Sequence, residues 1–459
     1  MKNMLLKNKA VILLAFIGFL SIYNILNLGF WKKQEKIIMW DVLEYYSYLP
    51  ATFIFKDPLL TFMNDNPEAY YDRFWPLTTD NGNNVIKMSM GISFLYSPFF
   101  FTAHGYALIS KYPANGYSEP YRIAIIFSTI VFFLLGLFFL SKILSRYFKP
   151  LIVSLTLLAV SLGTNLYYYV VVNSGMSHAY SFALLTIFIW LTLKWYEKKN
   201  WKLSLFIGLC LGMISLIRPT NSIILIFFLL WNVSNFSGFK SRITELLLNW
   251  KIVLFIGFFA FIVWIPQMLY WKAVSGQFLY YSYQDEGFFF NNPQFIKGLF
   301  SYRNGWLLYT PIMSFALLGI VLLYKRLPDF FIPCLLLIPL SIYIILSWWC
   351  WWYVGFGNRA FIDHYAILAI PLAAFLERML QQKILLKSVF LSLFLFFLTL
   401  NLFQTWQYYK GYIRHDSMSK KAYWIVFGKT DPEDRFWPYL KYPDYNKAVK
   451  GIYVDKDKE

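Results

Sequence analysis

Asp41 and Glu44 stand three residues apart in the stretch Trp40-Asp41-Val42-Leu43-Glu44-Tyr45-Tyr46-Ser47-Tyr48-Leu49-Pro50. In a helix they share one face. A positioned carboxylate is the residue type that takes a proton from a reacting hydroxyl, whereas the same stretch read blandly is a solvated loop with an aromatic interfacial belt. Four other stretches hold polar residues whose types could bind a ligand. In Asn173-Ser174-Gly175-Met176-Ser177-His178 the histidine either hydrogen-bonds a sugar hydroxyl or phosphate oxygen, or simply starts a helix at the interface. In Leu216-Ile217-Arg218-Pro219-Thr220-Asn221 the arginine either binds phosphate or satisfies carbonyls freed by the proline. Ser301-Tyr302-Arg303-Asn304-Gly305-Trp306 sets Arg303 and Asn304 beside a glycine at a helix start, a place suited to an anion. Trp348-Trp349-Cys350-Trp351-Trp352-Tyr353-Val354-Gly355-Phe356-Gly357-Asn358-Arg359 holds more tryptophans than a lipid belt needs and is expected to form a binding wall, since indole faces also stack on sugar C–H surfaces.

The elements that position these residues follow from composition. Hydrophobic residues make up 58% of the 459, aromatics 22% and charged residues only 14%, which excludes an ordinary soluble domain. Long, mostly uncharged apolar segments predict an all-α polytopic membrane protein with spans near 10–30, 121–141, 150–171, 178–195, 202–217, 219–231, 252–271, 306–324, 328–347, 360–376 and 386–403. A barrel would alternate polarity over short strands. The first span is too long for a signal h-region and has no small-residue cleavage site, so it is expected to anchor the chain. Lys2, Lys7 and Lys9 precede it and keep the amino terminus inside. The segment 91–110 decides the rest of the map. Laid along the outer surface, it puts every later basic cluster, from Lys142/Arg146/Lys149 to Arg378/Lys383/Lys387, on the inside. The carboxyl terminus is then outside, and the +18 net charge is topological rather than a sign of nucleic-acid binding. The short pair 202–217 and 219–231 has the form of a hairpin that does not fully cross. The expected organisation is a transmembrane module over 1–403, with a first outer loop at 31–120, and a small outer segment at 404–459.

Charges beside spans are costly and therefore informative. Asp41, Glu44, Lys87, Arg122, His178, Arg218, Arg303, Arg359, Asp363 and His364 gather at the outer ends of spans, which predicts a cavity opening outward. No phosphate-binding loop, dinucleotide fingerprint or zinc-protease motif is present. Cys210, Cys334 and Cys350 are expected to be buried free thiols. Gly208 and Gly212 are expected to mediate close helix packing. Asp455-Lys456-Asp457 is expected to be solvated tail. The repeat of Asp72-Arg73-Phe74-Trp75-Pro76 as Asp434-Arg435-Phe436-Trp437-Pro438 has unmatched flanks and marks no domain duplication.

Taken together these features resemble the GT-C glycosyltransferases, and among them the bacterial relatives of protein O-mannosyltransferases and aminoarabinose transferases. Asp41 occupies the place of that family's acidic residue after the first span. Lys87 before Ser97-Pro98-Phe99-Phe100 looks like its loop lysine entering an interfacial helix, Arg122 opens the next span as an arginine does there, and the segment from Gly212 to Thr220 looks like its short hairpin. Many relatives carry a second outer acid where this chain has Asn173, a departure that leaves Glu44 as the second carboxylate. The resemblance implies a GT-C-like bundle of about eleven helices with interfacial helices in the first outer loop, in the bacterial cytoplasmic membrane. It implies transfer of a sugar from a polyprenyl-phosphate donor to a hydroxyl on a lipid, glycan or protein acceptor. Asp41 would be the base and Glu44 an assisting carboxylate. Lys87, Arg122, Arg218, Arg303 and Arg359 would hold donor phosphate, and Tyr45, Tyr46, His178, Asn304 and Trp352 would contact sugar or acceptor. No cofactor is required, although Asp41 with Glu44 offers a weak site for a divalent metal. The rival functions are a polysaccharide polymerase or ligase, with essential arginines but no essential first-loop acid, and a lipid-linked sugar flippase, which consumes no donor.

Overall fold

The computed structural model describes residues 2–456, the side chains of residues 2–9 and of Pro67 excepted. Lys2, Lys7 and Lys9 as charges, and Asp457, therefore lie outside the described residues. The architecture is all-α apart from a two-residue antiparallel ribbon, Leu77–Thr78 against Asn84–Val85, and isolated bridges. Among the described residues seven helices are long and apolar enough to cross a membrane: Ala10–Leu28, Glu119–Leu144, Ser177–Glu197, Trp250–Ser275, Pro328–Ser347, Arg359–Leu380 and Ile384–Tyr409. By length and composition the chain is a multi-pass membrane protein.

The other four expected spans are not single long helices. The span expected at 150–171 is broken into Pro150–Leu162 and Leu166–Val171, where Gly163 ends the first helix and the Thr164 hydroxyl turns back to the Val160 carbonyl at 2.7 Å. The span expected at 306–324 is broken into Trp306–Tyr309 and Met313–Arg326, because Pro311 lacks the N–H that would continue the ladder. The hairpin consists of the shorter helix Trp201–Ile217 and the segment Pro219–Leu230, which begins as a 3₁₀ turn after Pro219. Breaks in apolar helices persist where neighbouring groups satisfy the freed backbone, and two of these three lie beside the site described below.

Burial separates the centre from the rim. Within their most apolar windows 89% of Arg359–Leu380 and 78% of Ser177–Glu197 is buried, against 11% of Trp250–Ser275 and 17% of Ile384–Tyr409, whose apolar faces are left for lipid. Gly208 and Gly212 allow Trp201–Ile217 to lie against Trp250–Ser275: a methyl group on either would meet the Ile256 carbonyl at 2.5 Å or the Ala260 carbonyl at 2.6 Å. The segment expected on the surface is an unbroken helix, Gly91–Leu108, running through Pro98 and packed on Glu119–Leu144 with Phe99 against Phe127 (5.8 Å) and His104 Nδ1 to the Tyr121 hydroxyl (2.5 Å).

The final helix continues past 403 to Tyr409, and the chain then folds back as a cap. Its helix Lys420–Val426 is tied to the last span by Gln404 Nε2 donating to the Tyr423 hydroxyl at 2.8 Å. Tyr445 lies 5.7 Å from Trp352 and 6.2 Å from Trp349. The three cysteines are buried and free. In the repeated pentapeptide Phe74 and Phe436 are both buried, but Phe436 lies in the 3₁₀ helix Glu433–Tyr439 and Phe74 in irregular chain after a turn; nothing among the described residues gives the repeat a function.

Candidate functional site

Asp41 is the first residue of the short helix Asp41–Tyr46, and its Oδ2 accepts from Arg359 Nη2 at 2.7 Å. Both partners are set by strained backbone. Trp40, immediately before Asp41, has φ 54°, and Asn358, immediately before Arg359, has φ 46°. Asparagine tolerates the left-handed region, but tryptophan does so at a cost of about 1–3 kcal/mol. The Arg359 loop is pinned by the broken helix behind it. Asn165 Nδ2 donates to the Phe356 and Gly357 carbonyls at 2.9 and 2.8 Å, and the Phe356 N–H donates to the Tyr169 hydroxyl at 2.8 Å. Gly357 is required there, since φ is 64° and a Cβ would stand 3.0 Å from that of Tyr309.

A second ion pair lies beneath the first. Pro219 forces Arg218 into extended backbone, φ −147° and ψ 108°, and the guanidinium reaches Asp363, with Nε 3.7 Å from Oδ2. Asp363 is fully buried. Its Oδ1 accepts from His178 Nδ1 at 2.9 Å and its Oδ2 from Asn221 Nδ2 at 2.8 Å. Arg218 thus serves a carboxylate, not the freed carbonyls, and His178 is oriented by that carboxylate with its Nε2 enclosed and, among the described residues, unpartnered. Arg218, Asn221, Tyr353 and His364 border a cavity of about 20 Å³, room for one water.

The third pair brings in the loop after Trp250–Ser275. Lys87 Nζ lies 2.6 Å from Glu286 Oε1 and 5.3 Å from the Tyr283 ring centroid, while the Lys87 N–H donates to Glu44 Oε2 at 3.0 Å. Burial pushes the Glu44 carboxyl up from 4.5 to about 7; the Lys87 N–H and ammonium oppose the shift and the charge of Asp41 adds to it. Tyr45 joins the pairs: its hydroxyl donates to Ser177 Oγ at 3.2 Å and lies within electrostatic reach of Asp41, Arg218 and Arg359. Tyr283 and Tyr353 lie in the same field.

Asp41, Glu44, Tyr45, Lys87, His178, Arg218 and Arg359 are therefore brought together. The remaining expected residues are placed elsewhere. Arg122 donates from Nε to the Trp31 carbonyl at 2.6 Å and from Nη1 to the Tyr117 carbonyl at 2.5 Å. The Tyr46 hydroxyl donates to the Gly116 carbonyl at 2.5 Å among Tyr96, Phe100 and Tyr117. Arg303 donates to the Lys441 carbonyl and to Asp455 Oδ1, both at 2.5 Å, so Asp455, though exposed as expected, also ties down the cap. Asn304 donates to the Trp352 carbonyl at 3.1 Å and to the His415 carbonyl, and Trp352 lies buried under the cap instead of forming an open wall. No group of three or more metal-ligating side chains gathers among the described residues. Asp363 was expected among the gathered charges but given no role, and Asn221, Tyr283 and Glu286 were not expected at the site. The rim placement of Asp363 was a usable signal, whereas Glu286, 199 residues from Lys87, carried none.

No protein-family model matches the chain, and no curated protein does. Among solved structures it is similar to the archaeal oligosaccharyltransferase AglB from Archaeoglobus fulgidus, determined in complex with an inhibitory peptide and a dolichol-phosphate, at 12% identity and a TM-score of 0.48. The likeness covers 94% of this chain and 59% of that one, so the chain spans about three fifths of its neighbour's length.

Proposed function

We propose that the protein is a glycosyltransferase that moves a sugar from a polyprenyl-phosphate donor to a hydroxyl-bearing acceptor at the outer face of the bacterial cytoplasmic membrane. The observation that carries this proposal is a carboxylate, Asp41, held 2.7 Å from Arg359 within a cluster that also contains Lys87 and Arg218 at the ends of apolar helices. A polyprenyl donor keeps its tail in lipid and its phosphate at the boundary where these cations stand. Asp41 accepts the acceptor's proton as the new glycosidic bond forms, and the arginines and the lysine stabilise the charge that develops on the leaving phosphate. Tyr45, whose hydroxyl lies in the field of Asp41, Arg218 and Arg359, is a sugar contact. Glu44, half-buried and hydrogen-bonded to the Lys87 backbone, fixes the lysine loop against the base.

The test is transfer from defined polyprenyl-phosphate sugars by purified protein. Asp41→Asn keeps size but cannot take a proton, and is expected to lower transfer by about a hundredfold or more while donor binding survives. Wild-type transfer in a folded Asp41→Asn protein would remove the base. Transmembrane movement of donor without its consumption would favour a flippase, and loss on arginine substitution alone would favour a polymerase or ligase.

A further inference from the structure

Each cation of the cluster has its own carboxylate: Lys87 has Glu286, Arg218 has Asp363 and Arg359 has Asp41. The three anions are not held alike. Asp363 is fully buried and also accepts from His178 and Asn221. Asp41 has a side chain 24% exposed and, among the described residues, accepts a side-chain hydrogen bond from Arg359 alone. The contact is one-sided as well. Only Nη2 of Arg359 reaches Asp41, while Nε is enclosed without a partner and Nη1 faces Met176 Sδ at 4.0 Å. The Nε and Nη2 hydrogens form one edge of the guanidinium fork, and two oxygens of a single phosphate can satisfy both. Asp41 satisfies one.

We propose that Asp41 and the donor phosphate compete for the same edge of Arg359, so that arrival of the phosphate is the event that releases the base. This rests on the phosphodonor function proposed above. On exchange, phosphate oxygens take Nε and Nη2, and Asp41 Oδ2 loses its counter-ion. The free carboxylate then takes the acceptor hydroxyl's proton. The acceptor oxygen bonds to the anomeric carbon, and the carbon–oxygen bond to phosphate breaks with its electron pair going to the polyprenyl phosphate. The phosphodiester monoanion leaves as a monoester dianion, Asp41 becomes neutral, and total charge is conserved. Donor must therefore bind before the acceptor can be deprotonated.

The distinguishing consequence is that the residue most damaging to transfer is inhibitory to phosphate binding. Farnesyl phosphate binding, measured by titration calorimetry in detergent at low ionic strength, is expected to be roughly two- to tenfold tighter in Asp41→Asn than in wild type. It is expected to be several-fold weaker in Arg359→Gln. In the Arg359→Gln background, adding Asp41→Asn is expected to change affinity by less than about twofold, because the contested edge is gone. Should Arg359→Gln fail to fold, Arg359→Lys, which has no fork, replaces it with the same expectation. Unchanged or weaker binding by Asp41→Asn overturns the competition and leaves the phosphate site standing. An undiminished gain in the Arg359-substituted background overturns it too, showing a general charge effect. Absence of binding by wild type and every variant overturns the phosphate-donor function itself.

Discussion

Replacing Asp363 with asparagine should uncover an uncompensated charge in the middle of the helix bundle. Asp363 and Arg218 are 3.7 Å apart, with side-chain exposures of 1% and 21%. At an effective dielectric constant of about 20 their attraction is about 4.5 kcal/mol, within the 3–5 kcal/mol lost when one member of a buried pair is removed. The asparagine can still accept from His178 or from Asn221, but its amide then points donors at the other, so one hydrogen bond goes as well. The expected loss is about 3–5 kcal/mol in reversible unfolding of the purified protein in mixed micelles. The decisive variant is the double substitution. Asp363→Asn with Arg218→Gln removes both charges, so its cost should fall short of the sum of the two singles by a few kcal/mol. Additivity within about 0.5 kcal/mol, or a single-variant loss below about 1 kcal/mol, would refute the assignment of Asp363 as the counter-ion that holds Arg218 in place.

Glu44 gives a pH signature. Its carboxyl is raised from 4.5 to about 7 in the folded protein, so folding binds a proton that the unfolded chain releases in that window. The stabilising contribution is complete below 4.5 and is lost as pH rises through about 7. Thermal unfolding followed across that window should show wild type losing stability relative to Glu44→Gln with increasing pH, and parallel profiles would exclude the buried carboxyl as the cause. The topology is checked by reporters: one inserted after Phe148 should read cytoplasmic and one at the carboxyl terminus outside, and an external signal at Phe148 would place Gly91–Leu108 across the membrane.

Much of the site was legible because charge is expensive near lipid. Asp41, Lys87, Arg218 and Arg359 had to have a reason to stand at span ends, and they stand together. Pairing was not legible. Glu286 lies in a long aromatic loop where one more acid attracts no notice, and only the fold brings it 2.6 Å from Lys87. Tryptophan richness misled in the opposite direction, since indoles suited to sugar stacking are equally suited to packing beneath a cap, and Trp351 and Trp352 are 3% and 1% exposed. The expected spans at 150–171 and 306–324 were counted whole because hydropathy is blind to a break, although Gly163 and Pro311 were both visible. At the first of these breaks Asn165 holds the Arg359 loop.

Asp41 and Arg359 are 318 residues apart in the chain. At synthesis rates of about 5–20 residues per second, the carboxylate is made roughly 15–60 s before the guanidinium that will face it. Until the penultimate long helix is in place, Asp41 must remain an acid without its Arg359 partner, and the Lys87 loop must wait in turn for Glu286. The centre is thus assembled last, by closure of late-made helices onto an early-made loop. A ribosome-stalled or truncated chain lacking residues beyond 358 would carry every residue of the loop between the first two long helices and still have no Asp41–Arg359 pair.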